Sequence, residues 1–246
     1  MIDTRAQRVF ITGVSSGVGL ALAQRYISAG AVVGGCDLSE DCEYSDVLYE
    51  CIDVTDHQAL GQAVSDYVSE TGGLDVMIAC AGINHPKTAM PDFERGREVV
   101  RVNLIGVMNA FEAAISVMRQ QGAGQLVALG SVSGRFGLPG MAAYGASKAG
   151  VMNYCESLAI SLADSNIAVT CIVPGFIATP LTQSNDHEMP FVMDVASAAD
   201  KIFKAIQRRR VLYVLPWQMR LLSAVLMRLP RNGFRWLAAR KKPFIE

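Results

Sequence analysis

The sequence predicts an α/β fold: a Rossmann-type doubly wound parallel sheet of about seven strands, with helices on both faces. Three observations carry this expectation. Short β-branched runs alternate with longer helical stretches along the chain. The strand candidates are near-continuous apolar runs rather than alternating ones, as in a parallel sheet buried on both sides. A glycine-rich turn joins the first strand to the first helix, where folds of this class bind anionic groups. At 246 residues without repeats or low-complexity linkers, the chain suits a single domain over 1–246.

The elements follow in order. The strand at 8–12 (RVFIT) runs into Thr12-Gly13-Val14-Ser15-Ser16-Gly17-Val18-Gly19 and a helix over 17–29. Gly13 permits a tight turn, Gly17 lets backbone approach a pyrophosphate, and Gly19 permits close helix–sheet contact; the helix N-terminus offers free N–H groups. A second strand at 31–36 ends at Asp37, 24 residues after Gly13. A carboxylate there accepts both ribose hydroxyls of NAD and repels a 2′-phosphate. No Lys or Arg stands beside it or in the glycine turn, so NAD is expected over NADP. Ser15, Ser16, Val18 and Leu38 complete the expected contacts of this cradle.

Further strands are expected at 47–52, 74–79, 124–130, 167–173 and 211–215, with helices at 56–70, 94–120, 142–164 and 196–209. The crossover from Leu38 to Asp46 is short and acidic, hence abbreviated. Ligands belong at the C-terminal ends of the strands. Tyr144 and Lys148, four apart, lie one turn apart on one helix face, 13 residues and more after Ser131. A free tyrosine is only about 0.1% ionised at neutrality, and making it a base requires roughly 4 kcal/mol. An ammonium about 5 Å away supplies on the order of 3 kcal/mol. Lys148 is thus expected to lower the phenol pKa, with Ser131 donating to a substrate oxygen.

These motifs resemble the short-chain dehydrogenase/reductase family, over residues 8 to about 215. The likeness rests on TGVSSGVG (12–19), CAG (80–82), Asn103 in VNLIG, GSVSG (130–134), YGASK (144–148) and PGFIATP (174–180). It implies Asn103, Ser131, Tyr144 and Lys148 as the catalytic set, Asn103 kinking its helix and serving a proton relay. Ser133, 11 residues before the tyrosine, is the decoy. The resemblance further implies adenine contacts from Asp53 and Val54, ribose contacts from Ala81, Gly82, Tyr144 and Lys148, and nicotinamide contacts from Pro174, Gly175, Ile177 and Thr179. Two departures stand out. Ala79-Cys80-Ala81-Gly82 replaces the family's Asn-Asn-Ala-Gly, losing amides that steady the central sheet, and the usual Asp-Gly-Gly after the last strand is missing.

The substrate pocket is expected beyond the strand ends, in 83–93, 132–141 and 176–193. Phe136, Leu138, Met141, Phe176, Phe191, Val192 and Met193 make its walls apolar, with Ser131, Tyr144, Met141 and Phe176 as substrate contacts and no cationic cluster. The expected reaction is NAD-dependent interconversion of a secondary alcohol and a ketone on a lipophilic small molecule such as a steroid, retinoid or fatty chain. The alternatives are an NAD-binding regulator or scaffold, and a dehydratase or epimerase on the same scaffold. The resemblance implies a homodimer through the helices at 94–120 and 142–164, with tetramer formation open.

Composition limits other classes. Apolar residues form 51% and charged ones 18%, which suits a large core, and a net charge of −1 gives no electrostatic reason for nucleic acid. No apolar run approaches transmembrane length, and the first strand leaves no room for a signal peptide. Six scattered cysteines without a CxxC pair read as mostly buried free thiols of a reducing, cytoplasmic compartment; with three isolated histidines, no metal site is expected. The end, 216–246, is atypical. A helix from Trp217 to Leu229 is apolar around most of its circumference, and every charge over 216–242 is positive. It suits either a cover over the cleft or a subunit contact, or else a peripheral anionic membrane surface.

Overall fold

Seven parallel strands form one sheet in the order β3-β2-β1-β4-β5-β6-β7. The structure, a computed structural model, describes residues 6–40, 45–85, 92–183, 189–230 and 232–234. The strands are β1 (Arg8–Thr12), β2 (Val32–Asp37), β3 (Val47–Cys51), β4 (Val76–Ala79), β5 (Gly124–Leu129), β6 (Ile167–Pro174) and β7 (Leu212–Leu215). They match the expected runs to within a few residues. The chain leaves β1 toward β2 and β3, then returns to place β4 on the other side of β1. The gap between β1 and β4 is therefore the switch point where a doubly wound sheet opens a crevice.

Continuous apolar strands supply both faces of the sheet. Phe10, Met77 and Leu126 point into one layer; Val9, Ile11, Ile78 and Val127 point into the other. The first layer is closed by α2 (His57–Thr71), α4 (Gly106–Gln121) and α5 (Ala142–Ser161), whose Leu60, Phe111 and Val151 are fully buried. The second is closed by α1 (Gly17–Ile27) and α7 (Val195–Gln207), through Leu22, Tyr26 and Ile202. Asp56 starts α2 by accepting from the Gln58 and Ala59 N–H groups, and Asp194 starts α7 by accepting from Ser197 N.

The long helix expected at 94–120 is present but not uniform. It comprises α3 (Phe93–Val100), one π-helical turn (Arg101–Ile105) and α4, with Gly106 N donating to Arg101 O. Periodicity does not register a single added residue, so the sequence shows one helix where the backbone has a wide turn. By length and composition this stretch, Phe93–Gln121, is apolar enough to cross a membrane, contrary to expectation. Its apolar side (Val107, Ala110, Phe111, Ala114, Met118) is used against the sheet instead.

Two short helices complete the set, α6 (Pro180–Gln183) and α8 (Trp217–Arg228). The latter occupies most of the expected 217–229. The Leu38–Asp46 crossover carries no helix among its described residues. Cys36, Cys155 and Cys171 are buried free thiols, but Cys51 is exposed because β3 is an edge strand.

Away from the crevice, the N-terminal ends of β1 and β4 are tied by a fork. Arg8 donates from Nε and Nη2 to the two carboxylate oxygens of Asp75, at 2.9 and 2.7 Å, and from Nη1 to Gly72 O at 2.6 Å. Removing one partner of such a nearly buried pair leaves the other charge poorly solvated. Asp75→Ala is expected to lower unfolding free energy by about 3 kcal/mol in urea titrations, while activity per folded molecule is retained.

Candidate active site

A cleft of about 570 Å³ opens at the C-terminal ends of the strands, centred on the β1–β4 crevice. Its floor depends on a backbone contact. Gly13 has φ +72° and sits so close to the β4 end that a Cβ there would lie 2.7 Å from Ala81 Cα. Only glycine fits that turn. Thr12 Oγ1 accepts from the Cys80 and Ala81 N–H groups, both at 3.2 Å. This hydroxyl ties the two strand ends together where the family's asparagines are missing.

The glycine turn is open toward the cleft. Ser16 caps α1 in extended geometry without a side-chain cap bond, so the first N–H groups of the helix have no side-chain acceptor. Such a terminus is suited to a pyrophosphate. Asp37 closes the far end: one carboxylate oxygen accepts from Ser15 N and Oγ, the other from Leu38 N at 2.8 Å. Gly13, Ser16, Gly17, Val18, Gly19, Asp37, Leu38, Asp53, Val54, Ala81 and Gly82 all line the cleft, as do Pro174, Gly175, Ile177 and Thr179. Ser15 does not; it serves Asp37 instead. These residues fit a dinucleotide: uncapped helix donors, a hydroxyl-accepting carboxylate and a glycine floor.

The opposite wall brings Ser131, Tyr144 and Lys148 together. Ser131 follows β5 and leads a short 3-10 turn (Val132–Gly134), accepting from Ser133 N. That turn lies directly on α5, because a Cβ on Gly134 would come within 2.6 Å of Ala149 N. Tyr144 stands in the first turn of α5 and Lys148 one turn later. Ser133 does not line the cleft.

The electrostatics differ from the sequence expectation. Burial pushes the Tyr144 phenol above its usual value, and a hydrogen bond with Ser131 only partly offsets this. Lys148 Nζ lies 5.9 Å from the Tyr144 ring centroid and donates to Leu129 O at 2.9 Å. Its own pKa is pushed down to about 8 by burial. Desolvation penalises both charged forms, so the phenol stays protonated in the free protein. The ammonium alone does not make the phenolate.

Asn103 lies where its helix departs from regular winding, as expected. It is fully buried beneath the cleft at the π-helical turn. Oδ1 accepts from Ile83 N at 2.8 Å, and Nδ2 donates to Ile83 O at 2.9 Å and Ser147 Oγ at 3.3 Å. Its amide fastens the segment after β4 to α5. Both ends of the amide are thus engaged by protein groups. Of the expected substrate contacts, Met141 faces a second, mainly apolar cavity of about 630 Å³ that shares Tyr144 with the cleft. Phe176 lines neither cavity. Met193 is core: it forms a bridge with Ile177, and its N–H donates to Phe176 O, which turns this segment inward.

Sequence reasoning missed the charged side of the cleft. Glu94, Arg97, Glu98 and Arg101 line it from α3 and the π-helical turn, and Arg97 and Arg101 also face the second cavity. Their spacing of three and four residues marks one helix face and was readable as such. His85 pairs with Glu98 at 2.9 Å.

Comparison with known proteins agrees with this geometry. A family model described as short chain dehydrogenase matches residues 7–190. An uncharacterized oxidoreductase of Myxococcus xanthus is 32% identical over 98% of this chain and 99% of its own. The cis-4-hydroxycyclohexanecarboxylate dehydrogenase of Sinomonas cyclohexanicum is 34% identical over 74% of this chain and 78% of its own. A short-chain dehydrogenase/reductase from Burkholderia phymatum, solved in complex with NAD, has the same fold. It superimposes with TM-score 0.82 over 96% of this chain and 97% of its own, at 19% identity.

Lys148 yields a pH test. The unfolded lysine keeps its proton to about pH 10.5, the folded one only to about 8. Between these values the unfolded state binds more protons, so this group makes stability rise with pH. The buried thiols Cys36 and Cys80, both pushed up to about 12, act in the opposite sense above pH 9. Relative to Lys148→Met, the native chain is expected to gain roughly 2 kcal/mol between about pH 8 and about pH 9.5 in denaturant titrations. A constant difference removes the buried-ammonium assignment.

Proposed function

The chain belongs to the short-chain dehydrogenase family of oxidoreductases, and we propose that it is an NAD-dependent enzyme interconverting a secondary alcohol and its ketone on a lipophilic substrate. The convergence of Ser131, Tyr144 and Lys148 on one wall of a cleft whose other wall is the glycine turn carries this reading. Tyr144 exchanges a proton with the substrate oxygen, and Ser131 donates to that oxygen and holds it against the phenol. Lys148 stabilises negative charge as it develops on the phenol and donates to ribose. A bound nicotinamide supplies the carbon that accepts or gives hydride and, when oxidised, a positive charge. In the direction of carbonyl reduction, the protonated phenol is already the required acid. In the direction of alcohol oxidation it receives the hydroxyl proton only after losing its own.

The preference for NAD rests on Asp37. Its carboxylate lines the cleft beside Leu38, and residues 38–46 contain no Lys or Arg to offset a 2′-phosphate. The lipophilic body of the substrate, of steroid, retinoid or fatty-chain type, lies against the second cavity. Met141, Val99 and Phe93 meet Tyr144 there. The Sinomonas relative, named for a ring-borne secondary alcohol, supports that class. The exposed Ile105 and Met108 on the long helix, with Ile160 on α5, support pairing with a second copy.

Nicotinamide absorbance across an alcohol and ketone panel tests the reading. Tyr144→Phe is expected to lower turnover by about 10³-fold or more with dinucleotide binding retained. Retained turnover would sink it. Asp37→Ser is expected to shift the NAD-to-NADP ratio of kcat/KM at least about tenfold toward NADP.

A further inference from the structure

The C-terminal helix α8 has two unlike sides. Met219 and Ser223 are buried: Met219 packs against Gly175, and Ser223 Oγ accepts from Arg135 Nη1 at 2.7 Å. On the other side Trp217, Leu221, Val225 and Leu229 recur every four residues and so form one ridge. All four are exposed, with Leu222 and Met227 beside them; Trp217 is 66% exposed against 4% for Met219. None of them lines the cleft. A ridge of this kind on a water-facing helix exposes apolar surface with no covering element among the described residues.

Charge decides what covers it. Arg220 and Arg228 are exposed next to the ridge, and no ion pair joins either to a carboxylate among the described residues. In the sequence, Arg231, Arg235, Arg240, Lys241 and Lys242 follow, with no acidic residue from 216 to 245. A second copy seated ridge to ridge would bring Arg220 and Arg228 close to their own counterparts. An anionic surface turns the same charges into attraction. We propose that α8 docks on an anionic phospholipid bilayer, its ridge entering the headgroup boundary and Arg220 and Arg228 meeting phosphates. The helix already grips the Gly175 and Arg135 loops through its buried side, so docking holds the cleft at the membrane face.

Sedimentation of the full chain with phosphatidylcholine vesicles, with and without phosphatidylserine, tests this. Binding is expected with phosphatidylserine and roughly tenfold or more weaker without it or in high salt. Leu221→Glu with Val225→Glu, and separately Arg220→Glu with Arg228→Glu, are each expected to lower vesicle binding about tenfold with soluble turnover unchanged. Vesicle binding is read without turnover, so it fails independently of the catalytic reading. No sedimentation of the native chain overturns the proposal. So does binding that both variants retain, or a solution mass that falls by half in the Leu221→Glu, Val225→Glu variant, which would make a second copy the occupant.

Discussion

Two backbone segments approach more closely at the β1–β4 crevice than side chains would allow, and the site depends on that approach. Gly13 lies against Ala81, and the Thr12 hydroxyl receives both N–H groups at the end of β4. The contact holds the uncapped end of α1 against the crevice that also leads to Tyr144. It does so without the asparagine amides common in the family. A single hydroxyl with two acceptor lone pairs satisfies both N–H donors at the end of β4.

The chemistry of the opposite wall depends on how dry it is. Burial raises the Tyr144 phenol and lowers the Lys148 ammonium, so each charged form is penalised in the free protein. A spacing argument counts the Coulomb attraction between two groups and omits the loss of water around each. The omitted part is the larger one here. The lysine is held by Leu129 O, with Nζ 5.9 Å from the phenol ring centroid. Its positive charge therefore acts on the pocket as a whole.

Much of the fold was legible because its signals are periodic or punctuated: continuous apolar strands, strand–helix alternation, and glycines after β1. The residues lining the cleft were legible for the same reason, since most sit on backbone turns at strand ends. Side chains whose role depends on third parties were not. Asn103 looks like a polar residue on a helix, and only the position of Ile83 shows that its amide is engaged. Phe176 and Met193 look like pocket wall, but the Ile177 bridge turns them elsewhere. Arg97 and Arg101 were passed over because their helix was read for its extent and not for the face its charges share.

The wide turn at Arg101–Ile105 makes the long helix a phase shifter. One residue beyond regular pitch rotates everything before it by about 100° relative to everything after it. Through that offset, α4 can face the sheet while Glu94, Arg97 and Arg101 face the cleft. Chain length between residues 93 and 121 is thus constrained more tightly than residue identity on its outer surface. Deleting a single position within the turn would restore normal winding and swing Glu94 and Arg97 away from the site, although both side chains survive.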